Sequence, residues 1–244
     1  MSNPILNNNR FLSQENVLET EPMTVNGTVN KIFMLFICLL AGAGISLYFL
    51  FTGNTGYSLG LMTMGAFVAF IFVIISSFKI SLAKYLAAPY ALCEGFAIGG
   101  ISAMFESTYQ GIVVQAILAT FAVLFIMLML YKAKMITYTE KFAAVLKTGL
   151  LSILAVYLIQ FIASFFGRGI PAIFDAGPIG IIFSLVVIGF AAMALIQDFF
   201  FIEESSNRLL PKDYEWYGAM GLMVTLVWLY MEILKLFAKL NSRR

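Results

Sequence analysis

Two acidic residues within long apolar stretches are the first candidates for chemistry. Asp198 is followed by four large apolar residues, Phe-Phe-Phe-Ile, and Glu232 lies in the stretch Leu-Tyr-Met-Glu-Ile-Leu-Lys. A carboxylate in hydrocarbon is costly, so an acid inside a membrane segment indicates an ion path, a proton relay or a buried polar contact. Asp198 and Glu232 are therefore candidates for one shared site.

Two further charged residues lie near this pair or within another apolar stretch. Lys235 follows Glu232 by three residues, on the same face of a helix, and either neutralises Glu232 or reaches the outer interface. Glu94 lies in the middle of its stretch and is either a third pore acid or a hydrogen-bonded structural residue. The uncharged polar residues of the stretches predict contacts between helices rather than ligand binding: Gln115, Thr120, Tyr157 and Gln160.

The composition places these residues in a membrane protein. Hydrophobic residues make up 61% of the chain and charged residues 11%, whereas soluble domains have about 25% charged residues. Seven apolar runs are each long enough to cross a bilayer as a helix: 32–51, 57–78, 84–105, 111–131, 143–166, 178–202 and 222–240. The prediction is an all-α membrane protein with a disordered polar tail over 1–29 and one seven-helix domain over 30–244.

Several classes of chemistry are excluded by composition. The chain has no histidine, which removes Ser-His and Cys-His catalysis, histidine zinc motifs and haem ligation by histidine. Both cysteines, Cys38 and Cys93, lie in apolar runs and indicate no disulfide framework. We expect no enzyme activity, no cofactor and no nucleic-acid partner. The protein is expected to contact the lipid bilayer.

The basic residues predict how the chain is oriented. Nine of them lie on the side of the N-terminus and of the loops after helices two, four and six. Basic residues favour the cytoplasmic side, so we expect a multi-pass protein of the plasma or inner membrane with a cytoplasmic N-terminus and an external C-terminus. The alternative is a re-entrant last segment, which would place the basic C-terminal tail on the cytoplasmic side, as the preference of basic residues requires.

The position of Asp198 on its helix predicts where it points. It lies twenty residues after Pro178, or ~30 Å along a helix. The face leading to it carries small residues, which allow another helix to approach closely: Ala194, Ala191, Val187, Ser184 and Gly180. We therefore expect Asp198 to face the interior of the bundle.

Whether Glu232 reaches Asp198 depends on where the seventh helix begins. A start at Tyr214 places Glu232 ~27 Å from the inner end, too far for contact, whereas a start near Leu222 places it ~15 Å deep. Residues Pro211, Gly218 and Gly221 favour the later start.

These features together resemble the Bax inhibitor family in its bacterial branch, over residues 24–240. The resemblance rests on seven closely spaced spans, the helix-four segment Tyr-Gln-Gly-Ile-Val-Val-Gln-Ala-Ile-Leu-Ala-Thr-Phe, a sixth helix ending in Asp198 and the stretch around Glu232. It implies six helices packed around a central C-terminal helix. It also implies a pH-sensitive calcium leak controlled by paired acids, which motif matching assigns to Asp198 and Glu232 as transient Ca²⁺ ligands.

The chain departs from the family pattern in three ways. Its second acid is Glu232 where the family has Asp, and the segment between the acids is longer, with Arg208 to Gly221 as the excess. The second helix has no basic residue in its core to close the pore against the acids. Lys79, Lys84 or Lys235 would have to substitute.

The expected function is a passive, pH-gated cation leak. Ca²⁺ prefers carboxylate and carbonyl oxygens, and two nearby carboxylates in a low dielectric titrate as a coupled pair. One alternative is a non-conducting regulatory protein whose tail binds a membrane protease or another membrane-protein partner. Another is a retinal protein with Lys235 as Schiff base and Glu94 as counter-ion. The sequence does not indicate an oligomeric state.

Overall fold

The computed structural model describes residues 21–166, 173 and 175–243, and these form seven long helices. They are α1 Val25–Phe51, α2 Thr55–Phe78, α3 Ala83–Thr108, α4 Ile112–Lys132, α5 Glu140–Phe165, α6 Pro178–Asn207 and α7 Asp213–Asn241. Each is long and apolar enough to cross a membrane. The predicted all-α membrane fold with seven spans is confirmed.

Local signals account for several helix starts. The Thr24 hydroxyl accepts a hydrogen bond from Gly27 N at 2.9 Å, which satisfies one of the free N–H groups of the first turn. The Thr139 hydroxyl does the same for Phe142 N at the start of α5. Pro178 occupies the first turn of α6, where a missing N–H does no harm.

Small residues allow the closest helix contacts. Gly42 of α1 and Gly95 of α3 face one another, and a Cβ at Gly42 would lie 2.2 Å from Leu92 O. The α7 helix packs against α1, α3, α4 and α6, and a hydrogen bond of 2.6 Å joins Ser102 of α3 to Tyr230 of α7. These contacts bury much of α7; the full ring of six helices around it stays a prediction.

The predicted boundary of the N-terminal tail is wrong for its last residues. Residues 25–29 belong to α1. Residues 21–24, the N-terminal strap, lie against the α6–α7 connection: Met23 N donates to Leu210 O at 2.7 Å, and Lys212 N donates to Glu21 O at 3.1 Å. The hydrogen bonds and the Thr24 cap order this segment. The disorder predicted for residues 1–20 lies outside the described residues.

The predicted late start of the seventh helix is also wrong. Helix α7 begins at Asp213 and runs without a break for 29 residues, or about 43 Å. Pro211 precedes the helix instead of interrupting it. Gly218 lies against α6, where a Cβ would be 3.2 Å from Ile202 Cγ1, so this glycine serves close packing and does not end the helix. The side of the membrane on which each terminus lies stays a prediction.

Candidate ion site

Asp198 lies well inside α6. The helix continues for nine residues to Asn207, so Asp198 is about 14 Å from its end. Along the face that leads to it, Gly180, Ser184, Val187 and Ala191 are all buried. This agrees with the expectation that Asp198 faces the interior of the bundle.

The carboxyl group of Asp198 faces α7 at Gly221 and Thr225. The Thr225 hydroxyl, which donates a hydrogen bond to Gly221 O at 3.3 Å, lies close to the Asp198 side chain. A Cβ at Gly221 would lie 3.9 Å from Asp198 Oδ1. The other oxygen, Oδ2, is buried and has no hydrogen-bond partner within the described part of the chain. An unsatisfied buried acceptor is unfavourable, so the Asp198 carboxyl group is only partly compensated by hydrogen bonds.

A cavity of about 460 Å³ lies beside Asp198. It extends from Asp198 to the α6–α7 connection and is bounded by α6, α7 and the α4–α5 connection. Its lining residues are Tyr138, Gln197, Asp198, Phe200, Phe201, Glu204, Ser205, Arg208, Leu210, Tyr217, Gly218 and Gly221. The cavity thus connects the buried carboxyl group with the end of the bundle where the N-terminal strap lies.

The charges of this lining leave Asp198 uncompensated. Arg208 Nε is 2.7 Å from Glu204 Oε1, one turn along the same helix. These two opposite charges neutralise one another near the cavity mouth. Asp198 is therefore the net charge of the lining when it is ionised, and the electrostatic preference of the cavity is for cations.

Glu232 has a separate set of partners. It is 2% exposed, and its Oε1 accepts hydrogen bonds from the Tyr157 hydroxyl of α5 at 3.0 Å and from Lys235 Nζ at 2.9 Å. Lys235 Nζ also lies 5.4 Å from the centre of the Tyr157 ring. Of the two alternatives for Lys235, neutralisation of Glu232 is the one observed, and Tyr157 makes a contact between helices as expected.

The structure does not bring Asp198 and Glu232 together. Asp198 meets α7 at Gly221 and Thr225, whereas Glu232 lies two turns beyond Thr225, about 10 Å along the axis. The separation follows from the early start of α7 at Asp213. Asp198 and Glu232 therefore do not form a directly contacting pair. The sequence allowed such a pair only if α7 started near Leu222.

Glu94 and the basic candidates are placed elsewhere. Glu94 is half-buried on α3, and neither Asp198 nor Glu232 is hydrogen-bonded to it. Lys84 Nζ lies 3.3 Å from Asp213 at the start of α7. Within the described ranges, no three His, Cys, Asp or Glu side chains are grouped as metal ligands. The Asp198 site therefore offers one carboxyl group to a cation, not a closed cage.

One buried acid was missed in the sequence. Glu215, in the first turn of α7, is 1% exposed. Its Oε1 accepts hydrogen bonds from Thr24 N at 2.9 Å and from the Thr24 hydroxyl at 3.0 Å, and its Oε2 forms an ion pair with Lys31 of α1. Thr24 and Lys31 are more than 180 residues away in sequence, and no local pattern connects them to Glu215.

Comparison with known families supplies an independent observation. A family model described as Bax inhibitor 1 like matches residues 3–242, which include all seven helices and nearly the whole chain. No curated protein matches the chain.

Proposed function

Because the chain belongs to the Bax inhibitor 1-like family, we propose that it is a passive, pH-sensitive cation leak of the cell membrane that conducts Ca²⁺. The observation that carries this proposal is the buried Asp198 carboxyl group beside a cavity that reaches the end of the bundle. Ca²⁺ is bound by carboxylate and carbonyl oxygens. Asp198 supplies a carboxylate oxygen, and a cation beside Gly221 would meet little steric hindrance.

The pH sensitivity follows from the charge of this one group. Ionised Asp198 attracts a cation into the cavity, and protonated Asp198 does not. Ca²⁺ flux is therefore expected to fall as Asp198 becomes protonated. The other titratable groups of the lining are Tyr138, Glu204, Arg208 and Tyr217.

Glu232 has a different role in this proposal. Its contacts with Lys235 and Tyr157 lie two turns further along α7. An ammonium group bound to the carboxylate neutralises it and occupies the position that a cation would take. We propose that the Glu232–Lys235 ion pair keeps this half of the bundle closed, and that its opening completes the path. The second helix, which lacks a basic residue in its core, has no part in the closure.

The test is Ca²⁺ flux into proteoliposomes at several pH values. Asp198→Asn should lower the flux and flatten its pH dependence, because the variant cannot ionise. Glu232→Gln should change the flux by loosening the ion pair. Glu94→Gln tests whether Glu94 is an additional pore acid. Glu140→Gln is the matched control, because it neutralises an exposed acid at the start of α5 that does not itself line the cavity.

If Asp198→Asn and Glu232→Gln both leave the flux and its pH dependence unchanged, the leak proposal is wrong. The non-conducting alternative then makes its own prediction. Deletion of residues 1–20, which leaves the N-terminal strap in place, should abolish binding to a membrane-protein partner.

A further inference from the structure

The cavity beside Asp198 has an aromatic lining that an inorganic ion does not require. Tyr138 stacks on Phe200 with ring centroids 4.5 Å apart, and Phe201 meets Tyr217 edge to face at 5.6 Å. All four rings line the cavity together with Asp198. A metal cation exchanges water for oxygen ligands, and these rings offer it few.

Aromatic walls around one net negative charge are suited to an organic cation. Ammonium groups are attracted to the faces of aromatic rings, and the alkyl part of such a ligand gains by burial against them. The cavity of about 460 Å³ also lies in the range of roughly 300–1,000 Å³ typical of small-molecule sites. Because Arg208 is paired with Glu204, Asp198 is the charge left for the ligand.

The hydrogen bonding of Asp198 further narrows the chemical class of the expected ligand. Oδ2 is buried and lacks a donor among the described residues. A primary ammonium group has three N–H donors and can supply the donor that the Asp198 carboxyl group lacks. A quaternary ammonium ion carries the same charge but has no N–H, and an alcohol has a donor but no charge.

We propose that this cavity binds a small primary alkylammonium ion, with its nitrogen at Asp198 and its alkyl chain between the rings of Phe200, Phe201 and Tyr217. The proposal rests on the same cavity as the proposed ion path but does not require Ca²⁺ flux. If the flux also exists, the bound amine occupies the position of the permeating ion and blocks it competitively.

Three probes of matched length test the proposal: n-butylammonium, butyltrimethylammonium and 1-butanol. Their dissociation constants are measured on the full-length protein in lipid nanodiscs by saturation-transfer difference NMR, with empty nanodiscs subtracted. The primary amine should bind most tightly, since it alone has both the charge and the donor. Loss of a charge-assisted hydrogen bond should weaken its binding roughly ten-fold or more in Asp198→Asn.

Two further variants separate the site from general effects. Glu106→Gln neutralises another acid, at the end of α3 and outside the cavity lining, and should leave the affinity unchanged. Tyr217→Leu removes one aromatic wall and keeps Asp198, so it should weaken binding several-fold, even if Asp198→Asn does not fold.

Three results would overturn the proposal: no binding of the amine, equal affinities for wild type and Asp198→Asn, or binding of 1-butanol as tight as that of the amine. Amine binding without Ca²⁺ flux would contradict the leak and keep this site. Ca²⁺ flux without amine binding would contradict the amine site and keep the leak.

Discussion

The Glu215 carboxylate of α7 accepts two hydrogen bonds from Thr24, the residue that caps α1, one from the backbone N–H at 2.9 Å and one from the hydroxyl at 3.0 Å. A negative charge at the N-terminus of a helix is favourable because the free N–H groups point toward it. Lys31, about two turns further along α1, binds the second oxygen of the same carboxylate. Glu215 therefore joins the first and last helices at the end of the bundle.

We predict that Glu215→Gln destabilises the protein by roughly 3 kcal/mol, because removing one partner of a buried ion pair leaves the other uncompensated. The free energy of unfolding in detergent measures the loss. Lys31→Met and the double variant complete a cycle in which the double variant should lose less than the sum of the single losses. Strictly additive losses would show that Glu215 and Lys31 do not interact.

Gly27 supplies a second test of the same contact. A Cβ at this position would lie 2.3 Å from Glu215 Oε1, so Gly27→Ala must displace the carboxylate. We expect a loss of about 1–3 kcal/mol, as for other overpacked sites. Gly44→Ala is the matched control on α1, because no atom lies within 4 Å of its Cβ. An equal effect of both substitutions would rule out the steric explanation.

The ion pair of Glu21 and Lys212 predicts a pH dependence of the N-terminal strap. Lys212 lowers the pKa of Glu21, and Glu21 raises the pKa of Lys212, through a hydrogen bond and charge attraction. The contribution of Glu21 is present above its unfolded pKa and lost as pH falls through its lowered folded value. The contribution of Lys212 is lost as pH rises through its raised value.

The protection factor of the Met23 amide, which is bonded to Leu210 O, is its exchange rate compared with that of an unstructured amide at the same pH. This protection should therefore fall in strong acid and in strong alkali. The effect should be small and weakened by salt, because exposed ion pairs contribute little. Lys212→Gln should remove both the effect of acid and the effect of alkali on the Met23 amide. An unchanged profile in that variant would assign the pH dependence to other groups.

The helices were predictable from the sequence, and the partners of the acids were not. Apolar runs marked all seven spans because a helix is the simplest way to satisfy backbone groups in lipid. The start of α7 was misplaced because Gly218 and Gly221 have the composition of a break, whereas Gly218 lets α6 approach and Gly221 lies within the helix beside Asp198. Glu215 was missed because its partners lie near the other end of the chain. The inward direction of Asp198 was predictable, since it depends on spacing within one helix.

The contact of Tyr157 with Glu232 predicts opposite effects on stability and flux. Tyr157→Phe removes a donor from a buried carboxylate and keeps the ring beside Lys235, so the unfolding free energy should fall by about 1 kcal/mol. If the Glu232–Lys235 ion pair closes the path, weakening its support should raise Ca²⁺ flux. Tyr48→Phe, at an exposed position of α1, is the control. A less stable variant with unchanged Ca²⁺ flux would show that the Glu232–Lys235 ion pair does not close the path.

Gly221 allows the path to be tested without changing any charge. An added Cβ would lie 3.9 Å from Asp198 Oδ1, in ordinary contact, so Gly221→Ala should fold while its methyl group takes space beside the carboxylate. Replacing a helical glycine by alanine stabilises by about 0.5–1 kcal/mol.

We therefore expect higher stability together with lower Ca²⁺ flux, a combination that general damage to the fold does not produce. Gly189→Ala on α6 has open space around its Cβ and should give the same gain in stability with unchanged flux. If Gly221→Ala also conducts like wild type, the space beside Asp198 is not on the ion path, whatever the role of its charge.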